Sequence, residues 1–290
     1  MPNITQQTEV AVENPQAPIF TLQVGKGLRP FFFLHGDWWS QAPIYAYALS
    51  RALGRKRPFY ALEPYHFDGP NQPLTLEALA AEHVKAIKQK QPDGPYLLGG
   101  YCNGALIACE VVRQLQTHGD EVRLMVMITP STFPIKARKL LKASRAICSA
   151  LHIRPSFQRD IFLRMRHARR HLLRYVEPAD HPRFSGYEAL IELDSRFKTV
   201  FPPLETLHKE FAGYYAWLAG DYQPNFDPTP TRFIWVEEDL DKRPRWQAFE
   251  PEGAPVTILP GTHLTCVTEH SGQLSEHVKS YVEQVETDEA

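Results

Sequence analysis

One cysteine of the chain lies between two glycines, at the point where an apolar run meets a helical pattern. The segment GYCNG places Cys102 between Gly100 and Gly104. A thiol on a strand-to-helix turn can act as a nucleophile, because the turn exposes the side chain and the glycines let strand and helix approach closely. The alternative is a small buried residue, as free cysteines often are. This alternative is favoured for the three cysteines outside the turn: Cys109, Cys148 and Cys266.

A thiol nucleophile needs a base, and His263 has the best position among the twelve histidines. It lies two residues beyond a Pro-Gly that ends a strand near the C-terminus, and an acid should follow the strand 232–236. The spacing favours Asp241 as this acid, with Asp239 as the alternative. The order nucleophile, acid, histidine is that of α/β-hydrolases. A cysteine–histidine pair can exist as thiolate and imidazolium, so the acid mainly orients the ring.

Two backbone N–H groups are expected to stabilise the negative charge that develops on a reacting carbonyl oxygen. The first belongs to Asn103, which follows the cysteine. The second comes from the loop HGDWWS after the strand PFFFL, and we assign it to Asp37, with Gly36 as a less favoured choice. Trp38 and Trp39 in this loop either line an acyl channel or cap the core.

The elements around these residues alternate between strands and helices over residues 18–130 and again over 229–290. Between them, residues 131–228 lose the strand signals and show helical patterns broken by prolines. Alternating strands and helices predict a mostly parallel sheet covered by helices on both faces. We therefore predict an α/β-hydrolase fold in two parts with an inserted helical lid, preceded by a flexible tail over residues 1–17.

Composition narrows the classes of partner and site. The 290 residues carry a formal net charge of −1, which gives no general reason to expect nucleic acid or a membrane as partner. We find no signal peptide and no apolar stretch that could span a bilayer. The four cysteines lack the spacing of metal ligands or of a disulfide framework. We therefore expect no metal site and a cytoplasmic setting.

The quoted segments resemble the thioesterase domains that end nonribosomal-peptide and polyketide assembly lines. The likeness is carried by GPYLLGGYCNGALIACEVVRQL and extends to PIFTLQVGKGLRPFFFLHGD, RPFYALEP, AGDYQPNFDP and LPGTHLT. Two features depart from the family pattern. Thr129 stands where many members carry the acid, which moves the acid to the later loop and supports Asp241. The cysteine nucleophile is found in a minority of members, among them stand-alone thioesterases and aminoacyl shuttles.

The resemblance implies an enzyme that takes an acyl or peptidyl group from the phosphopantetheine thioester of a carrier protein onto Cys102. The group would then pass to water, to an amine or hydroxyl, including cyclisation, or to another thiol. No bound cofactor is implied, because the phosphopantetheine arm belongs to the carrier. Two alternatives remain: a hydrolase of free small-molecule esters or lactones on the same fold, and a binding protein in which Cys102 is inert.

The predicted lid is strongly basic. Between residues 136 and 174 there are twelve lysines and arginines but one acid, Asp160. A local positive field of this kind attracts an acidic partner, and carrier proteins of these pathways tend to be acidic around their pantetheine serine. We therefore predict a carrier-binding surface that includes Arg166, Arg169 and Arg170. A solvated helix face is the alternative, and nucleic acid is a poorer one because no motif for it accompanies the basic run.

Overall fold

A seven-stranded sheet forms the centre of the computed structural model, which describes residues 19–36, 43–63, 73–131, 135–176, 195–227, 231–250, 252–253 and 256–287. The strand order is β1-β3-β2-β4-β5-β6-β7. All neighbours pair in parallel except β1 and β3, which are antiparallel. The strands are β1 Ile19–Gln23, β2 Phe31–Leu34, β3 Phe59–Leu62, β4 Tyr96–Tyr101, β5 Val122–Ile128, β6 Thr231–Val236 and β7 Thr257–Leu259.

Eight α-helices accompany the strands in the described parts of the chain. They are α1 Ile44–Ala52, α2 Leu76–Lys90, α3 Asn103–Thr117, α4 Ile135–Ala150, α5 Pro155–Val176, α6 Leu204–His208, α7 Phe211–Ala219 and α8 Ser271–Thr287. Helices α4 to α7 lie between β5 and β6 and form the lid. The predicted α/β-hydrolase fold with an inserted helical lid is confirmed. The predicted tail, residues 1–17, lies outside the described residues.

The two faces of the sheet bury separate apolar clusters because the central strands are apolar on both sides. Side chains of β4 alternate between the faces: Leu98 packs with α3 and the lid, and Leu97 packs with α1 and α8. Every residue of β4 is buried. Such continuous apolar strands are typical of parallel sheets covered on both faces, and they make the carboxyl ends of the strands the natural place for a site.

The start of α3 packs directly against the end of β2. A Cβ atom added to Gly104 would lie 2.2 Å from the carbonyl oxygen of Leu34, and one added to Gly100 would lie 2.5 Å from the Cα of Ala105. No side chain fits at either position without moving backbone. The glycines on both sides of Cys102 are therefore required for strand, turn and helix to approach.

We expect Gly104→Ala to lower the free energy of unfolding by about 3 kcal/mol or more, because the added methyl group meets backbone that cannot rotate away. Thermal and urea unfolding measure the change. Gly272→Ala is the matched control, since Gly272 is also the second residue of a helix but an added Cβ there would have nothing within 4 Å. Equal stability of the two variants would contradict this account of the turn.

The lid is held together by ion pairs, and this corrects part of the predicted carrier-binding surface. Arg166 Nη1 donates to Glu210 Oε1 at 2.5 Å, and Arg170 Nη1 lies 3.6 Å from the same oxygen. Glu210 and Arg170 are buried, and Arg166 is largely so. Arg166 and Arg170 therefore stabilise the lid interior and are not available to a partner, whereas Arg169 is exposed. Their position on the inner face of α5 could not be read from charge counts alone.

Candidate active site

Cys102 forms the turn between β4 and α3 in a strained conformation. Its φ of 54° and ψ of −119° lie in a region that residues with side chains rarely adopt, at a cost of roughly 1–3 kcal/mol. Backbone hydrogen bonds hold it there: the Cys102 N–H donates to Ile128 O at 3.0 Å, and the Cys102 carbonyl accepts from Ser131 N–H at 3.1 Å. The side chain is partly exposed. The turn therefore presents the sulfur at the carboxyl edge of the sheet.

The end of β2 approaches this turn closely. A Cβ atom on Gly36 would lie 2.7 Å from Cys102 Cβ and 3.4 Å from Asn103 N. Asn103 is the first residue of α3, so its N–H has no acceptor within the helix. Asn103 and Gly36 thus lie beside the sulfur, as an oxyanion-binding site requires. Asp37, Trp38 and Trp39 lie outside the described residues.

His263 is held by an acid from the segment after β6. Its Nδ1 donates to Asp239 Oδ2 at 2.5 Å, and the other carboxylate oxygen of Asp239 accepts a short hydrogen bond from Lys242 Nζ. The Asp239 side chain is 2% exposed. Two cationic or proton-donating groups therefore share one buried carboxylate.

This geometry corrects the choice of acid. Asp241, the favoured residue, is exposed, whereas Asp239, the alternative, contacts His263. The distance along the chain from the end of β6 favoured Asp241, but residues Glu237–Arg245 form a 3₁₀-helix that starts directly at the end of the strand. With three residues per turn, Asp239 and Lys242 share one face and Asp241 points elsewhere.

Three consecutive acids connect the end of β6 to the histidine loop. Glu237 Oε2 accepts from Gly261 N–H at 3.3 Å, and Glu238 Oε2 accepts from His263 N–H at 2.8 Å. Asp239, the third acid, accepts the hydrogen bond from the imidazole ring. The loop that carries His263 is therefore fixed at the backbone and at the side chain by adjacent residues of one segment.

Tyr101 supports the same histidine from the nucleophile side. Its hydroxyl donates to His263 O at 2.7 Å, and the two rings stack with centroids 5.1 Å apart. Cys266 Sγ donates to the same carbonyl at 3.3 Å. Because Tyr101 directly precedes Cys102, these contacts connect the position of the imidazole to that of the sulfur.

The charges around His263 favour its protonated form. Burial alone lowers the pKa of the imidazole, but the negative charge of the Cys102 sulfur and hydrogen bonds to Asp239 and Cys102 outweigh burial and raise the pKa to about 10. The pKa of Asp239 is lowered: burial raises it, but the hydrogen bonds from His263 and Lys242 exceed that effect. The structure thus places the His263 ring between the Asp239 carboxylate, which it contacts directly, and the Cys102 side chain, whose charge it senses.

The lid reaches the same place through Tyr215 of α7. Its hydroxyl hydrogen-bonds Ser131 Oγ at 3.0 Å, and Ser131 in turn donates its N–H to the carbonyl of Cys102. Burial, opposed in part by the bond to Ser131 and reinforced by the charge of Cys102, raises the pKa of Tyr215. The lid helix α7 is therefore connected to the Cys102 turn through Ser131.

Sequence reasoning missed several residues that contact the site, among them Tyr101, Ser131, Tyr215 and Lys242. A signal existed for Lys242, which lies three residues beyond Asp239, and for Tyr101, which adjoins Cys102. Tyr215 has no such signal, because its approach depends on how the lid folds. Among the described residues, no group of histidine, cysteine, aspartate or glutamate side chains could hold a metal ion. In the same described parts of the chain, no helix has the length and apolar character needed to span a membrane.

Comparison with known proteins assigns the family. The model of the thioesterase domain family matches residues 44–281, most of the chain. The chain belongs to the thioesterase domain family. This thioesterase is 38% identical over 128 residues to polyketide synthase PksR of Bacillus subtilis, a match that covers 42% of the chain and 5% of PksR. It is 35% identical over 109 residues to the nonribosomal peptide synthetase apvA of Aspergillus terreus, a match that covers 37% of the chain and 12% of apvA.

Solved structures show the same fold. The NocB thioesterase domain, solved as a covalent complex with a fluorophosphonate nocardicin G analogue, superimposes with a TM-score of 0.55 at 18% identity. That likeness covers 92% of this thioesterase and 99% of the NocB domain. The chain thus corresponds to a small part of the two synthases but to nearly all of the isolated domain.

We expect Asp239→Asn to lower the pKa of His263 from about 10 toward the ordinary value near 6.5, because the ring loses a charged acceptor. The ring would then be protonated over a narrower pH range, and alkylation of Cys102 by iodoacetamide at pH 7, which an adjacent imidazolium promotes, should slow by about tenfold. Nitrogen NMR of the ring and the alkylation rate measure the two effects. Asp241→Asn is the matched control and should change neither; a larger effect at residue 241 would restore the original choice of acid.

Proposed function

We propose that this thioesterase takes an acyl or peptidyl group from the phosphopantetheine thioester of a carrier protein onto Cys102. It then releases the group, or transfers it to an acceptor, in nonribosomal peptide or polyketide biosynthesis. The observation that carries the proposal is the convergence of Cys102, at a strained strand-to-helix turn, on a His263 ring that Asp239 holds by a hydrogen bond. The family match and the names of the relatives support the substrate class.

The first half-reaction transfers the acyl group to sulfur. The Cys102 thiolate attacks the thioester carbonyl carbon, and the N–H of Asn103, with that of Asp37 or Gly36, stabilises the resulting oxyanion. Collapse breaks the bond to the pantetheine sulfur, which leaves with the proton of the His263 imidazolium. Asp239 keeps the ring oriented and Lys242 keeps Asp239 ionised. The carrier thiol is released and an acyl-cysteine remains.

The second half-reaction passes the group to an acceptor. Neutral His263 removes a proton from water, an amine, a hydroxyl or another thiol, and the acceptor attacks the acyl carbon. The tetrahedral intermediate then expels Cys102 as thiolate, next to the imidazolium just formed, which restores the starting ion pair.

A cysteine nucleophile changes the energetics of the intermediate. Transfer from a pantetheine thiol to Cys102 exchanges one thioester for another and is nearly neutral in free energy, whereas transfer to a serine would form a more stable ester. The acyl-cysteine stays reactive toward amines and thiols. The thiol therefore suits transfer or ring closure at least as well as hydrolysis. The phosphopantetheine arm stays with the carrier, so the proposal includes no resident cofactor.

We expect an acyl-loaded carrier protein to acylate the wild-type chain within seconds, seen as a mass increase in the intact protein, and Cys102→Ala to show no adduct. Cys148→Ala is the matched control, since Cys148 is also a free cysteine but lies buried in α4, and it should acylate normally. Product analysis after longer incubation identifies the acceptor.

Two results would contradict the proposal. Turnover of free esters or lactones without any adduct from loaded carriers would favour a hydrolase of small molecules. Neither adduct nor turnover on any thioester, together with slow iodoacetamide labelling of Cys102, would indicate an inert thiol.

A further inference from the structure

The outward face of lid helix α5 is apolar, which is unusual for a helix face in contact with water. Phe157, Met165 and Leu172 are 58%, 36% and 65% exposed, and Ile161 is half-buried between the first two. These four residues recur at intervals of four and seven, so they lie in one line along the helix. We call them the α5 stripe. Aligned exposed apolar side chains of this kind typically mark an interaction surface.

The orientation of α5 is fixed by its inner face. His167 Nε2 donates to Thr199 O at 2.8 Å, and His171 Nε2 donates to Phe197 O at 3.0 Å. With the bond from Arg166 to Glu210, these contacts hold the polar inner face against the rest of the lid. The helix cannot bury the α5 stripe by rotation without breaking these bonds.

Cations border the α5 stripe on both sides. At 100° per residue, Arg164 projects along one edge and Arg169 along the other. Both are exposed, and neither pairs with an acid in the part of the chain that the structure describes. The full set of exposed basic residues on the described parts of α4 and α5 and the turn between them is Lys139, Lys142, Arg154, Arg164 and Arg169. An apolar line with one arginine on each edge is complementary to an amphipathic helix with carboxylates at the margins of its apolar face.

We propose that the α5 stripe, with Arg164 and Arg169, is the docking surface for an acidic amphipathic helix of the protein that delivers the thioester. The inference rests on the function proposed above. Its place in the fold supports it, because α5 packs on α7: a Cβ on Gly213 would lie 3.1 Å from Leu163 of α5. The same helix α7 carries Tyr215 to the region of Cys102. A second copy of this chain is less suited, because two such faces would bring their arginines together.

The test compares two substrates that carry the same acyl group. One is a carrier-bound thioester that the wild type turns over, and the other is the N-acetylcysteamine thioester, which lacks the carrier. We expect the double variant Arg164→Glu, Arg169→Glu to raise KM for the carrier-bound thioester by about tenfold or more, since attraction becomes repulsion. Met165→Ser should raise it less, and kcat/KM for the small thioester should stay unchanged in both variants.

The matched control is the double variant Arg55→Glu, Lys56→Glu, an exposed basic pair in the turn that precedes the amino end of β3, whereas the site lies at the carboxyl ends of the parallel strands. It should leave both substrates unaffected. Replacing the facing carboxylates of the carrier helix by lysine should restore binding to the Arg164→Glu, Arg169→Glu variant. An unchanged KM for the carrier-bound thioester would overturn the docking surface while leaving the proposed function intact.

Two further outcomes would also overturn the inference. If the wild type cosediments with phosphatidylglycerol vesicles and Met165→Glu does not, the α5 stripe binds an anionic membrane. If sedimentation shows a dimer that Met165→Glu dissociates, a second copy of the chain covers it. Failure of the wild type to accept acyl groups from any carrier would instead count against the proposed function.

Discussion

The site depends on a contact between backbone atoms. The carbonyl oxygen of Leu34 occupies the space that a side chain at residue 104 would need, so α3 can begin directly beside the end of β2. At the turn between this strand-facing helix and β4, Cys102 has a positive φ. The close approach also places the amide of Asn103 next to Gly36. The strained backbone of Cys102 and the neighbouring amide of Asn103 thus lie where strand and helix pack most closely.

Electrostatics then determines the protonation state of the His263 ring. The pKa of His263 rises because two negative groups act on one imidazole from opposite sides, the sulfur of Cys102 and the carboxylate of Asp239. A buried carboxylate stays ionised only where it is hydrogen-bonded and paired, and Asp239 meets this condition through His263 and Lys242. The site therefore favours the imidazolium form of His263 beside the Cys102 side chain.

Much of the fold could be predicted from the sequence, because fully buried strands are continuous apolar runs and the turn needs its glycines. Cys102 and His263 could be proposed from the same local patterns. The acid could not, since the choice between Asp239 and Asp241 depends on whether the chain winds into a 3₁₀-helix after β6. Nor could the roles of Arg166 and Arg170, because the partner that buries them, Glu210, lies some forty residues away in the chain. A count of charges gives only the composition of a segment, whereas the access of a partner to each arginine depends on which face of the helix is buried.

Lys242 influences the pKa of His263 through Asp239 without taking part in the packing of the site. Its side chain is 34% exposed, while the carboxylate that it contacts is buried. Substitution at this surface position changes how strongly Asp239 attracts the imidazole proton, yet leaves the turn, the nucleophile and the lid untouched. A substitution at this one residue, which need not contact substrate, can therefore change the pH dependence of activity among related enzymes.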